Sequence, residues 1–147
     1  MNRKLSAKCT LWVNRALVAI LIAFCGLMPS FLAIYCRMRP LSAGARIALL
    51  AAFYACCPLV LSALWSIDRL VTNILEEKVF IHKNVSLLRR IRWCCAGVSV
   101  LCVPASVFYL PLIFLVLIMG FLALAVSVMV NVMAAAVAIR EENDLTI

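Results

Sequence analysis

The chain has 147 residues, 67% of them hydrophobic and 14% charged, with a formal net charge of +8. A soluble domain is nearer half apolar and a quarter charged. A domain this small also buries only part of its surface, so a water-soluble globule is excluded and lipid is the place for the excess. On so apolar a chain the basic residues read as orientation signals and contacts to anionic lipid head groups. Direct nucleic-acid binding is not expected, because no basic stretch is interleaved with aromatics for base stacking.

Charges mark the borders of the apolar stretches in chain order. Arg15 and Arg37 bracket the uncharged run 16–36, and Arg46 and Asp68 bracket 47–67. Ten Leu, Ile, Val or Phe residues between Ala16 and Tyr35 favour insertion of the first run by roughly 3–6 kcal/mol before polar costs. This run is too long for a cleaved leader and no A-x-A site follows it, so it reads as a retained anchor. Arg92 and Arg140 bracket 93–139. As one helix that run would reach about 70 Å, more than twice a hydrocarbon core of about 30 Å. It must therefore turn once, and Pro104 and Pro111 flank the expected place near Phe108–Leu112.

The expected fold is an all-α integral membrane protein, one domain over 1–147, with four transmembrane helices at 16–36, 47–67, 93–109 and 114–138. Its cytoplasmic parts are a helical hairpin at 68–92 and a tail at 140–147. The orientation follows from Lys and Arg. With the N-terminus inside, eleven fall on the inner side and three on the outer, so the positive-inside rule predicts both termini in the cytoplasm. Trp12, Trp65 and Trp93 then fall at inner ends, and Tyr35 and Tyr109 at outer ends, as amphipathic rings prefer.

In the hairpin, Ile67, Val71, Ile74 and Leu75 continue a helical apolar stripe beyond the second span. The first helix is expected to end near Glu76–Lys78. Asn84 is expected to cap the second by accepting the amides of Ser86 or Leu87, with Phe80 plugging the turn. Val85, Leu88 and Ile91 form the next stripe. Lys83, Arg89, Arg90 and Arg92 make a juxtamembrane basic cluster, suited to topology and lipid head groups, or to docking of an acidic partner.

Chemistry is scarce. The apolar runs contain no Asp, Glu, Lys, Arg or His, which counts against proton-coupled transport. His82, the single histidine, lacks the neighbours of a zinc site and reads as a solvated turn residue. The eight cysteines form no C-x-x-C, so they read as small hydrophobes rather than a redox centre. No enzyme, cofactor or metal is expected. Ala123, Ser127, Asn131 and Ala135 stand four residues apart in the last span and read as a small, polar helix-packing row. In the tail, Glu141, Glu142 and Asp144 are expected to lie near Arg89, Arg90 and Arg92, with Leu145 and Ile147 as apolar contacts. These residues, with Phe80 and Asn84, form the candidate interaction surface.

Two segments carry a resemblance. One is Ile74-Leu75-Glu76-Glu77-Lys78-Val79-Phe80 followed by Asn84-Val85-Ser86-Leu87-Leu88-Arg89-Arg90-Ile91. The other is the ending Glu141-Glu142-Asn143-Asp144-Leu145-Thr146-Ile147. With four expected spans, the chain resembles the bacterial membrane family catalogued as domain of unknown function 2975, from about the first span to the last residue. The resemblance implies a multi-pass protein of the bacterial cytoplasmic membrane without assigned activity. Genes of that family often neighbour one for a small helix-turn-helix regulator, which implies a membrane tether or sensor for such a regulator. The alternative is a small transport or channel subunit. A homo-oligomer is compatible with either.

Overall fold

The structure is a computed structural model, and it describes the backbone of residues 3–38, 41–76 and 81–144 and the side chains of 7–38, 41–76 and 81–143. Four helices follow one another: α1 Arg3–Met38, α2 Ala43–Leu75, α3 His82–Ser106 and α4 Leu112–Asp144. Local chemistry sets several boundaries. Ser42 caps α2, its Oγ accepting the Ala45 amide at 3.2 Å. The 93–139 run breaks over 107–111, where the Phe108 and Tyr109 amides both close on the Ala105 carbonyl at 3.2 Å.

Proline inside a helix frees the carbonyl four residues earlier. Pro29 in α1 thus leaves the Cys25 carbonyl without its helical amide, and the Tyr54 hydroxyl of α2 donates to it at 3.0 Å. A defect in one helix becomes a tie to the next.

The helices pack serially: α1 on α2, α2 on α3, and α3 on α4. Three contacts define one end of the molecule: Arg15–Asp68, Asn73–Asn84 and His82–Glu141. The opposite end carries the edge-to-face pair Tyr35–Tyr109, with ring centroids 6.2 Å apart. The first of these is the basic end of the molecule.

The expectation of four transmembrane helices is corrected. Three helices are long and apolar enough to cross a membrane: Ala7–Met38, Ala43–Leu75 and Leu112–Asn143. α3 is not. Arg89, Arg90 and Arg92 fall in the middle of His82–Ser106, and every 18-residue window of that helix contains all three. Past Arg92 only 93–106 remains. That stretch spans about 21 Å at 1.5 Å per residue, short of a hydrocarbon core of about 30 Å. The termini-inside orientation was argued from four crossings and loses that support, although Arg15 of α1 and Glu141 of α4 lie at the same end of the molecule.

α3 is instead the protein-facing helix. Asn84, Val85, Leu88, Ile91, Cys94, Val98, Cys102 and Ala105 are buried on it. Asn84, Ile91, Val98 and Ala105 repeat every seven residues, with Leu88 and Cys102 on the companion row, the seam of a helix that packs knobs into holes. α4 answers with Ala123, Val130 and Val137, also seven apart and buried. Val85, Leu88, Val130 and Val137 form one core cluster, with Leu70, Val126 and Met133 against it.

Candidate functional site

Polar chemistry gathers at the basic end. Where α2 leaves its apolar run, Asp68 Oδ1 lies 3.6 Å from Arg15 Nε of α1. That separation is an ion pair without a hydrogen bond, and the same oxygen is buried with no hydrogen-bond partner. Beside it, buried Asn14 donates from Nδ2 to the Leu64 carbonyl at 3.0 Å, tying α1 to α2.

Asn84 departs from its expected role. Its helix begins earlier, with Ile81 at the cap position and no side-chain cap bond. Asn84 lies within the first turn and is fully buried, and its Oδ1 accepts Asn73 Nδ2 at 2.7 Å. The side chain that was to satisfy its own helix start instead ties α3 to α2.

The tail does reach the start of α3, through a residue read as solvated. Glu141 Oε1 lies 2.9 Å from His82 Nε2, both side chains largely exposed. A carboxylate beside the N-terminal turn of α3 is also favoured by the helix dipole. No local spacing could have signalled this contact, because its partners are 59 residues apart. The arginines are placed differently from one another. Arg89 and Arg90 are exposed on α3. Arg92 donates to Ser127 Oγ of α4 at 3.4 Å and lies 5.3 Å from the Trp93 ring centroid. Glu142 is exposed on the last turn of α4. Phe80, Leu145 and Ile147, and the side chain of Asp144, lie outside the described residues.

The row of four on α4 divides. Ala123 is buried and Ser127 meets Arg92, whereas Asn131 and Ala135 are exposed on the outer face. The cause is helical drift. Four residues advance about 400°, so each step rotates the row by about 40° and three steps carry it off the interface.

The cysteines form an arrangement that spacing did not reveal. All eight are free. The adjacent Cys56 and Cys57 on α2 reach opposite ways: Cys57 Sγ lies 3.3 Å from Cys25 on α1, and Cys56 Sγ 3.8 Å from Cys102 on α3. They fill the seams on both sides of α2 as small polarizable groups.

The family model described as "Protein of unknown function (DUF2975)" matches residues 36–147. The chain belongs to this family. The DUF2975 match starts at the end of α1, later than the resemblance suggested, and takes in α2, α3 and α4 entire. Those are the helices that share the α3 seam. α1, largely outside the match, touches α2 alone among the helices described. No curated protein and no solved structure matches the chain. Membership in DUF2975 and three apolar helices of spanning length make this a multi-pass membrane protein.

Proposed function

We propose that this DUF2975 member is a non-enzymatic interaction protein of the bacterial cytoplasmic membrane, whose basic end tethers or senses a small helix-turn-helix transcription regulator. The observation that carries the reading is the His82–Glu141 contact. It gathers the start of α3 and the end of α4 into one exposed, charged surface on an otherwise apolar molecule. An exposed pair of this kind is worth only about 0–1 kcal/mol, so a partner can displace it at little cost. The reading requires the basic end to face the cytoplasm, as the excess of Lys and Arg there favours. Buried Asn14, Ser66 and Asn84 are all at this end and bonded within the protein. That supports interaction over a solute path, which would need polar groups along the whole length of the helices.

The test is retention of the regulator. A helix-turn-helix protein encoded beside the gene is co-expressed with the full chain, and its membrane-bound fraction is measured. Deleting 141–147 is expected to leave insertion and abundance nearly unchanged and to lower that fraction. Equal retention by full-length and truncated proteins removes the tail from recognition. A regulator that stays soluble beside the full chain sinks the tether.

A further inference from the structure

A groove of about 360 Å³ opens between α2 and α3 at the basic end, lined by Trp65, Ser66, Arg69 and Asn73 from α2 and by Lys83, Ser86, Leu87 and Arg90 from α3. We propose that it is a binding site for the phosphate head group of an anionic membrane phospholipid.

The argument starts from spacing. Trp65, Arg69 and Asn73 are four residues apart and share one face of α2, and Lys83, Leu87 and Arg90 share one face of α3. Serial packing turns the two faces toward each other, so three cations from separate turns converge on one groove. Charges of one sign repel, and proteins commonly relieve such clusters with a carboxylate. None lines this groove, and among the described residues none pairs with Arg69, Lys83 or Arg90. Two nearby acids are engaged elsewhere: Asp68 with Arg15, and Glu141 with His82. A phosphate would supply the missing charge, and two guanidinium forks suit its oxygens better than ammonium groups alone.

The polar lining discriminates further. Ser66 is turned away, donating to its own helix at Ser62 O at 2.8 Å, and Asn73 donates to Asn84. Those bonds hold the floor rigid. Ser86 is exposed at the mouth as a further donor.

The membrane decides between a lipid and a dissolved anion. The groove sits where α2 leaves its apolar run, and Arg69 is the first basic residue past 47–67. Trp65 forms one wall and is 61% exposed, an indole at the level where such rings prefer the head-group zone. Leu87 faces it. Cations beside an exposed indole at the end of an apolar run match an amphiphile entering from the bilayer, as basic pockets between membrane helices do for anionic lipids.

The experiment uses the full chain purified in neutral phosphatidylcholine nanodiscs, with binding of phosphatidylglycerol followed by native mass spectrometry. Arg69→Gln/Lys83→Gln/Arg90→Gln is expected to weaken retention at least about tenfold. The equal-charge control Arg37→Gln/Arg46→Gln/Arg89→Gln is expected to stay within about twofold, because those charges lie outside the groove. Ser86→Glu removes no cation and places a carboxylate at the mouth, and it is expected to weaken retention too. Equal losses in the groove variant and the control would mean diffuse charge attraction and overturn the site. So would inorganic phosphate binding to the groove while phosphatidylglycerol binds no better than phosphatidylcholine.

Discussion

α3 and α4 come from neighbouring parts of the chain and share one long uncharged run, yet they meet opposite surroundings. α3 buries eight residues along a seven-residue seam between α2 and α4. α4 buries Ala123, Val130 and Val137 and turns Phe114, Leu117, Phe121, Leu124, Val128 and Val132 outward. The three arginines of α3 set the two helices apart in hydropathy, but within the shared uncharged run nothing does. The reason is that lipid solvates apolar side chains as well as protein does, so apolarity marks a membrane helix without marking its inner face. The inner face is marked by shape: small and β-branched residues at heptad spacing, and polar groups with a partner across the contact.

The sharpest test compares like with like. Leu88 on α3 is 8% exposed and Leu124 on α4 is 70% exposed. Leu88→Ala is expected to cost about 2–5 kcal/mol through lost contacts and a cavity, and Leu124→Ala less than about 0.5 kcal/mol. Reversible unfolding in mixed micelles measures both. Equal costs would break the distinction between a protein-facing and a lipid-facing helix.

The next test concerns the buried amides. Asn84→Ala leaves the Asn73 amide without its 2.7 Å partner, at an expected cost of about 1–3 kcal/mol. Replacing both asparagines with leucine removes the unsatisfied group as well as the bond, and is expected to recover most of that loss. A double-mutant cycle without coupling would remove this tie from the α2–α3 contact.

Glycines sharpen the comparison on a smaller scale. A Cβ added at Gly97 of α3 would meet Leu59 Cδ1 at 3.0 Å, whereas one at Gly120 of α4 would meet Ser99 Oγ at 3.5 Å, an ordinary contact. Gly120→Ala is therefore expected to stabilise by up to about 1 kcal/mol through helix propensity. Gly97→Val is expected to destabilise by about 1–3 kcal/mol through overpacking, and Leu59→Ala to relieve part of that. Thermal unfolding of the three variants gives the signs.

The smallest effect is expected at the surface. His82→Ala or Glu141→Ala should change stability by no more than about 1 kcal/mol, since both side chains are largely solvated. A larger loss in the same unfolding assay would make the contact a structural clamp rather than a displaceable latch.

Much of the architecture was legible in the residues. Charges bracketing apolar runs located α1, α2 and α4, and two prolines located the break at 107–111. The four-span count failed because the uncharged run was measured from Arg92 through the turn to 109. The helix itself carries three central arginines and stops at Ser106. The site was legible as a set of residue types rather than as pairs. The tail was expected to meet Arg89, Arg90 and Arg92, but Glu141 reaches His82 and Arg92 reaches Ser127. Asn84 read as a cap because capping is local, and its actual partner lies across a helix contact.

By itself the sequence determined a helical membrane protein of the DUF2975 family. Hydrophobic content, charge borders, helix-breaking prolines and the family's segments act through composition and short range, where one chain suffices. Tertiary structure alone decided which helix is the inner one, which polar side chains meet and where the cations converge. Those outcomes depend on rotation of each helix about its axis. A step of one residue changes that rotation by about 100°, and lipid imposes little penalty on either choice. Only the mutual fit of α2, α3 and α4 selects the face.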